Sequence, residues 1–261
     1  MAYYFKGLAN YIHRNVPDIQ HPNILLKRVF PVNDRDKKEI FKKVKSINLN
    51  NSISEINRKI DTVINNLREV GYNIIQINAE TLSNLIVGFG GASTLETSIC
   101  LDGVTGVPFI PGSSLKGCHR DYVTNYTDNY FNNDDEFKLV FGSSKNNIEN
   151  DDNICGDVIY LNAYPFDINN PFDIDVMTVH FDKYYKGVEN WVQSQYDNPL
   201  PINFLCVKKS VKFKFNLIID NQMVNLINNI ENSFKETLQN HGVGAKTNVN
   251  YGYFKILNNQ R

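Results

Sequence analysis

Apolar positions recur at helical spacing twice before residue 71. From Asp36, the residues Ile40, Phe41, Val44 and Ile47 mark a short, basic amphipathic helix. Ile53, Ile56, Ile60, Val63, Ile64, Leu67 and Val70 keep the spacing until Gly71, a natural stop. Ser52-x-x-Glu55 reads as a capping box at the start of this second helix. Ahead of both, Met1 to about Asn33 lack periodicity and contain Pro17, Pro22 and Pro31, which predicts an extended or irregular stretch. After Thr81 the pattern turns to strands, loops and glycine. It predicts a strand or strand pair within Leu85–Leu101, a helix over Ser114–Tyr126, a polar loop over Asp128–Asn153 and a strand at Asp157–Ala163. An irregular insertion, Tyr164–Pro201, leads to a long strand at Phe204–Ile219. A helix at Gln222–Gln239 carries Met223, Ile227, Ile230, Phe234 and Leu238 on one stripe, and a glycine loop then feeds a last strand at Tyr251–Leu257. The order β-α-β-β-α-β predicts an α+β fold with a ferredoxin-like, RRM-like core and large insertions. Residues 1–80 read as an N-terminal extension, largely helical after 36, and 81–261 as the main domain.

A chain of 261 residues with 42% hydrophobic positions can bury a sizeable core without disulfides. The four cysteines, Cys100, Cys118, Cys155 and Cys206, form no C-x-x-C pair, so they read as reduced thiols and neither as a disulfide framework nor as a zinc knuckle. No segment approaches the about 18 apolar residues of a membrane helix, which predicts a soluble, cytoplasmic protein. The net charge of -1 means that any grip on nucleic acid must come from a local patch.

Two segments hold most of the glycine: Gly88 to Gly117, and Gly242 to Gly252. The first ends in Phe109-Ile110-Pro111-Gly112-Ser113-Ser114-Leu115-Lys116-Gly117, followed by Arg120. Ser113 or Ser114 reads as an N-cap, and Lys116 and Arg120, four apart, share a face near the positive end of the helix. The arrangement suits a phosphate, although a well-capped helix with two solvated bases has the same pattern. Gly117 within the first turns costs about 1 kcal/mol relative to Ala, a cost that makes sense where a neighbouring backbone or a ligand must pass close by. No Walker A sequence is present. The loop His241 to Tyr253 contains Gly242, Gly244 and Lys246 in a G-x-G-x-K pattern, but it runs from helix to strand, the reverse of a dinucleotide turn. Its amides, with Lys246 and Tyr251, fit the cradling of an RNA backbone and the stacking of a base. Along Val207–Leu217, Val211, Phe213, Phe215 and Leu217 alternate with Lys208, Ser210, Lys212 and Lys214. One face goes to the core, and the other reads either as a basic RNA-binding face or as ordinary solvated lysines. Asp173, Asp175, His180 and Asp182 are the one cluster with potential metal ligands, without a recognised ligand spacing.

Ile110-Pro111-Gly112-Ser113-Ser114-Leu115-Lys116-Gly117 with Arg120, together with the Gly242–Gly252 loop, resemble the two hallmark segments of the RAMP superfamily of CRISPR effector proteins. Gly156-Asp157-Val158-Ile159-Tyr160-Leu161-Asn162-Ala163-Tyr164-Pro165, then Asp175-Val176-Met177-Thr178-Val179-His180-Phe181 and Tyr184-Tyr185, resemble the family of sixth subunits of type III-B Cmr effectors. The likeness spans about Leu85 to Phe254. It implies a modified RNA-recognition fold whose insertion, about 164–201, forms a thumb-like projection. It also implies a non-catalytic backbone subunit near the 3′ end of the guide RNA, in antiviral defence, with guide RNA, target RNA and other Cmr subunits as partners and no cofactor. The resemblance places Ser113, Ser114, Lys116 and Arg120 at the RNA backbone, Gly242, Gly244 and Lys246 beside the same channel, and His180 on the thumb. The target-cleaving paralogue of that complex carries an aspartate in the loop before this segment. Here Gly91–Thr97 has none and Glu96 is its only acid, which argues against nuclease activity. Thr178-Val179-His180 has valine where the family more often shows proline. Two rival readings stand beside this one: a RAMP-type endoribonuclease using His119 or His180 as acid or base, and a free-standing RRM-like single-strand binder.

Overall fold

Pro22 opens a helix instead of breaking one. In the computed structural model, which describes residues 19–29, 31, 34–91, 93, 95, 97–127, 130–131, 133–143, 155–179 and 200–258, α1 spans Pro22–Arg28 within the stretch expected to be irregular. At the first helical position the missing N–H has no partner to lose, and Leu25 and Leu26 are buried. Helix α2, Asp34–Ser46, buries Ile40, Phe41 and Val44 as the periodicity predicts. Helix α3 runs from Asn50 to Glu69, so Ser52 lies inside its first turn and no capping box forms. The Asn48 side chain accepts the Asn50 N–H instead, and Glu55 turns to Arg58 and Lys59. The expected stop is made: at Gly71 φ is +99°, and the N–H groups of Gly71 and Tyr72 donate to the Arg68 and Leu67 carbonyls, a Schellman closure.

The first strand, β1, is Asn73–Thr81, and it alternates strictly, with Ile75, Ile77, Ala79 and Thr81 buried. It lies ahead of the expected segment, and the division at residues 80 and 81 falls within it. Among its described residues, Leu85–Leu101 forms only single bridges, Leu85 to Val207 and Leu101 to Pro108. Helix α4 is Gly112–Asn125. Helix α5, Asp134–Phe141, stands where a polar loop was expected: the Asn133 side chain caps the Glu136 N–H at 2.9 Å, and three acids fill its first turn. Strands β2 (Ile159–Tyr160), β3 (Tyr164–Phe166) and β6 (Lys212–Ile219) follow, and helix α6 (Ile227–Glu236) precedes β7 (Phe254–Ile256). The main sheet has the order β2-β6-β1-β7, all antiparallel, with β3 also on β6.

The long strand expected over Phe204–Ile219 is two strands in two sheets. Strand β5, Leu200–Val207, pairs with β4, Phe172–Val179, in a separate two-stranded sheet. Thr81 makes the corner between β5 and β6: its hydroxyl donates to the Lys208 carbonyl and accepts the Val211 N–H, and its carbonyl accepts the Ser210 N–H. Ser210 takes φ +62° there, which turns the chain from one sheet to the other. The insertion therefore contains regular structure, β3 and β4, and residues 180–199 lie outside the described part. A short 3-10 stretch, Asn221–Leu226, leads into α6, and a single π-helical turn, Thr237–His241, closes it. Phe213, Phe215, Phe234 and Phe254 meet edge to face between sheet and helices, at the centre of the core. Among the described residues no helix is long and apolar enough to cross a membrane.

Candidate nucleic-acid interface

Helix α4 starts two residues earlier than the sequence predicts. Pro111, not a serine, is the N-cap, and Ser113 and Ser114 sit inside the first turn without capping it. The Gly112 N–H, the first that an anion would find, is already taken at 2.9 Å by the Asn162 side chain. Gly112 is buried because α4 crosses β2 there: a side chain would overlap the Tyr160 carbonyl oxygen. Gly117 is the opposite case. It is exposed, and nothing stands within 4 Å of where a side chain would begin. No packing among the described residues explains this glycine.

Helical spacing puts Ser113, Gly117 and Thr124 along the outer strip of α4, with Lys116 and Arg120 on one edge and Ser114 and Cys118 on the other. Burial foremost, with the Arg120 charge beside it, holds the Lys116 ammonium below the usual lysine value. The Arg120 guanidinium stands 5.6 Å from the centre of the Phe137 ring on α5. On the other edge lies the glycine loop: the Gly244 amide meets the Cys118 thiol, and His241 pairs with Asp121 at 3.3 Å. Phe137 and Asn162, which position the strip, carry no signal in the sequence that links them to it.

The loop is strung on the segment after β1. The N–H groups of Val243, Ala245 and Gly252 donate to the carbonyls of Gly252, Ile86 and Asn84. A side chain at Gly244 would overlap the Ile86 carbonyl, so this glycine serves close internal packing. The cradle of free amides expected here is largely used up within the chain. Lys246 remains exposed, with its ammonium 5.5 Å over the Phe89 ring. Tyr251 is half-buried, and its hydroxyl donates to Asp175 at 2.9 Å, with Asn84 on the same carboxylate oxygen. Its ring packs against Phe204 instead of standing open for a base.

Two lysines on the polar face of β6 are paired with carboxylates. Lys214 donates to Asp61 of α3, which lies across that face, and its side chain is only 18% exposed. Lys212 pairs with Asp167 at 2.7 Å. Lys208 is half-buried beside Asp173 and lies off the strand. Lys214→Ala is therefore expected to cost about 1 kcal/mol in urea unfolding while leaving RNA affinity unchanged. A loss of affinity without a loss of stability would return this face to the interface.

His119 is fully buried, with Nδ1 at 2.7 Å from the Tyr160 hydroxyl and Nε2 at 2.8 Å from Ser233 Oγ. Ser233 gives its proton to the Asn229 carbonyl, so it accepts from Nε2–H, and Nδ1 accepts from Tyr160. Both nitrogens are thus occupied in the core, and burial holds the imidazole down to about 3. His180 and Asp182 lie outside the described residues, as does Glu96. Asp173 is paired with Lys45, and no group of three metal-ligating side chains is present among the described residues.

The chain is 30% identical over 223 residues to the CRISPR system Cmr subunit Cmr6 of Pyrococcus furiosus, a stretch covering 66% of this chain and 65% of that one, just under two thirds of the relative's length. It is 24% identical over 252 residues to the Cmr6 subunit of Saccharolobus solfataricus, covering 93% of this chain and 80% of the relative. Its fold resembles a chain in the cryo-EM structure of the type III-B Cmr-beta complex bound to cognate target RNA, with TM-score 0.68 at 19% identity over 97% of this chain and 89% of that one. The sequence profile of the RAMP superfamily matches residues 78–255, from β1 to β7 and through both glycine segments. This is well over half of the chain, which therefore belongs to the RAMP superfamily.

Proposed function

We propose that this protein is a non-catalytic, RNA-binding structural subunit of a type III-B CRISPR (Cmr) effector, acting in the cytoplasm in antiviral defence. Its partners are the guide RNA, the target RNA and neighbouring Cmr subunits, and it sits in the complex backbone near the 3′ end of the guide. The observation that carries this reading is the outer strip of α4. There a bare Gly117 is flanked by Lys116 and Arg120 on one edge and by the loop bearing Lys246 on the other. A sugar-phosphate backbone can lie against helix backbone where no side chain intervenes, with a cation on either side. Ser113 and Ser114 border the same path. The antiparallel order β2-β6-β1-β7, with α4 and α6 as crossovers, supports a ferredoxin-like, RRM-like core for the unit that begins at β1. In this reading α1 to α3 form the extension, and the insertion over 164–201, including His180, forms the thumb. The burial of His119 with both nitrogens engaged supports a subunit without a histidine acid or base of its own at this position.

The test is retention of guide RNA by the purified complex as salt is raised. Lys116→Ala with Arg120→Ala is expected to weaken binding and to lower the slope of log affinity against log salt by about 1 to 2. Unchanged affinity and slope would remove these two residues from the interface.

A further inference from the structure

We propose that the cavity between the C-terminal turn of α4 and helix α5 receives one unstacked nucleobase of the bound RNA. The idea rests on the RNA-binding reading above. The cavity measures about 410 Å³, within the range of about 300–1,000 Å³ typical of small-molecule sites. Val123, Tyr130, Phe131 and Phe137 supply apolar and aromatic walls, and Thr127 and Asn133 supply polar groups.

Two observations point to a base. The first is the rigidity of the wall. Phe131, Phe137 and Phe141 pack on one another with ring centres 4.9 to 6.4 Å apart, and Phe141 is backed by buried His119. A planar heterocycle loses little by entering a slot already formed. The second is continuity with the candidate backbone path. Phe137 is both a wall of the cavity and the ring beneath Arg120, so a phosphate held at Arg120 leaves its nucleotide beside the opening. Asp134 at the rim disfavours a phosphate inside the cavity, which leaves the base as the part that enters.

The test combines ultraviolet crosslinking of the full chain, in its purified complex, to a mixed-sequence single strand with peptide mapping. The expected product is a crosslink within Tyr130–Phe137. Thr124→Trp, which fills the cavity from an exposed position, should abolish the crosslink and weaken affinity about five- to a hundredfold. RNA that binds with normal salt dependence, crosslinks only elsewhere on the chain and ignores Thr124→Trp would overturn the pocket while leaving RNA binding intact. Absence of any RNA contact with the chain would overturn both. Loss of complex assembly in Thr124→Trp with unchanged RNA crosslinks would assign the cavity to a protein neighbour. A crosslink to free AMP but not to RNA would assign it to a free nucleotide.

Discussion

Gly112→Ala is expected to destabilise the protein by about 3 kcal/mol or more, whereas Gly117→Ala, five positions later in the same helix, should leave stability unchanged or raise it by up to about 1 kcal/mol. At Gly112 the added methyl meets the Tyr160 carbonyl oxygen, a backbone atom that cannot rotate away. The surroundings are pinned as well. Ile110 and Ala163 exchange two hydrogen bonds at 2.9 Å, and Asn162 holds the Gly112 N–H, so moving α4 off β2 breaks contacts already made. At Gly117 the helix is exposed and the space is empty, so alanine only removes chain entropy from the unfolded state. Equilibrium urea unfolding of the two variants gives the comparison directly. A Gly112→Ala protein as stable as its parent would mean that α4 and β2 are not locked together as described. If the outer strip carries RNA, a bulky residue at Gly117 should weaken RNA binding while the alanine change keeps the fold intact.

His119 predicts a loss of stability in mild acid. Its folded value, near 3, lies below the value of about 6.5 expected in the unfolded chain. The unfolded state therefore binds a proton that the folded state refuses. The contribution is complete above about pH 6.5 and is lost as pH falls toward 3, at a limiting slope of about 1.4 kcal/mol per pH unit. Between pH 7.5 and pH 5 this amounts to about 2 kcal/mol. Other groups titrate over the same interval, so the comparison needs a His119→Gln variant that keeps hydrogen-bonding capacity without the titration. The parent should lose about 2 kcal/mol more than the variant on going to pH 5, read from urea midpoints. Parallel losses in the two proteins would mean that the imidazole accepts a proton in place.

Local patterns carried the helices. The repeat of Ile40, Phe41 and Val44, the stripe through Ile230, Phe234 and Leu238, and the stop at Gly71 all depend on neighbours within a few residues, and all are present in the fold. The alternation of Val211, Phe213, Phe215 and Leu217 likewise marked the core face of β6. The pairing of Lys116 with Arg120 was visible because spacing on a helix fixes which residues share an edge. The glycine segments themselves were also plain.

Tertiary contacts decided the rest. Whether Lys212 and Lys214 face solvent depends on Asp167 and Asp61, which lie 45 and 153 residues away in the chain. That Phe204–Ile219 is two strands depends on the Thr81 hydroxyl bridging Lys208 and Val211, a contact without local precedent in the strand pattern. Strand β1 was legible in the alternation of Ile75, Ile77 and Ala79, but it lies before Thr81, where the strand region was expected to begin. The purposes of the glycines separated only in three dimensions: Gly112 and Gly244 admit a neighbouring backbone, and Gly117 faces open space. Sequence alone determined which segments could become helices, a core face and a glycine-rich path, because those follow from periodicity and backbone freedom. The structure decided which charges are neutralised, which amides are used up and which glycine is left bare, because each of these is a property of two distant segments brought into contact.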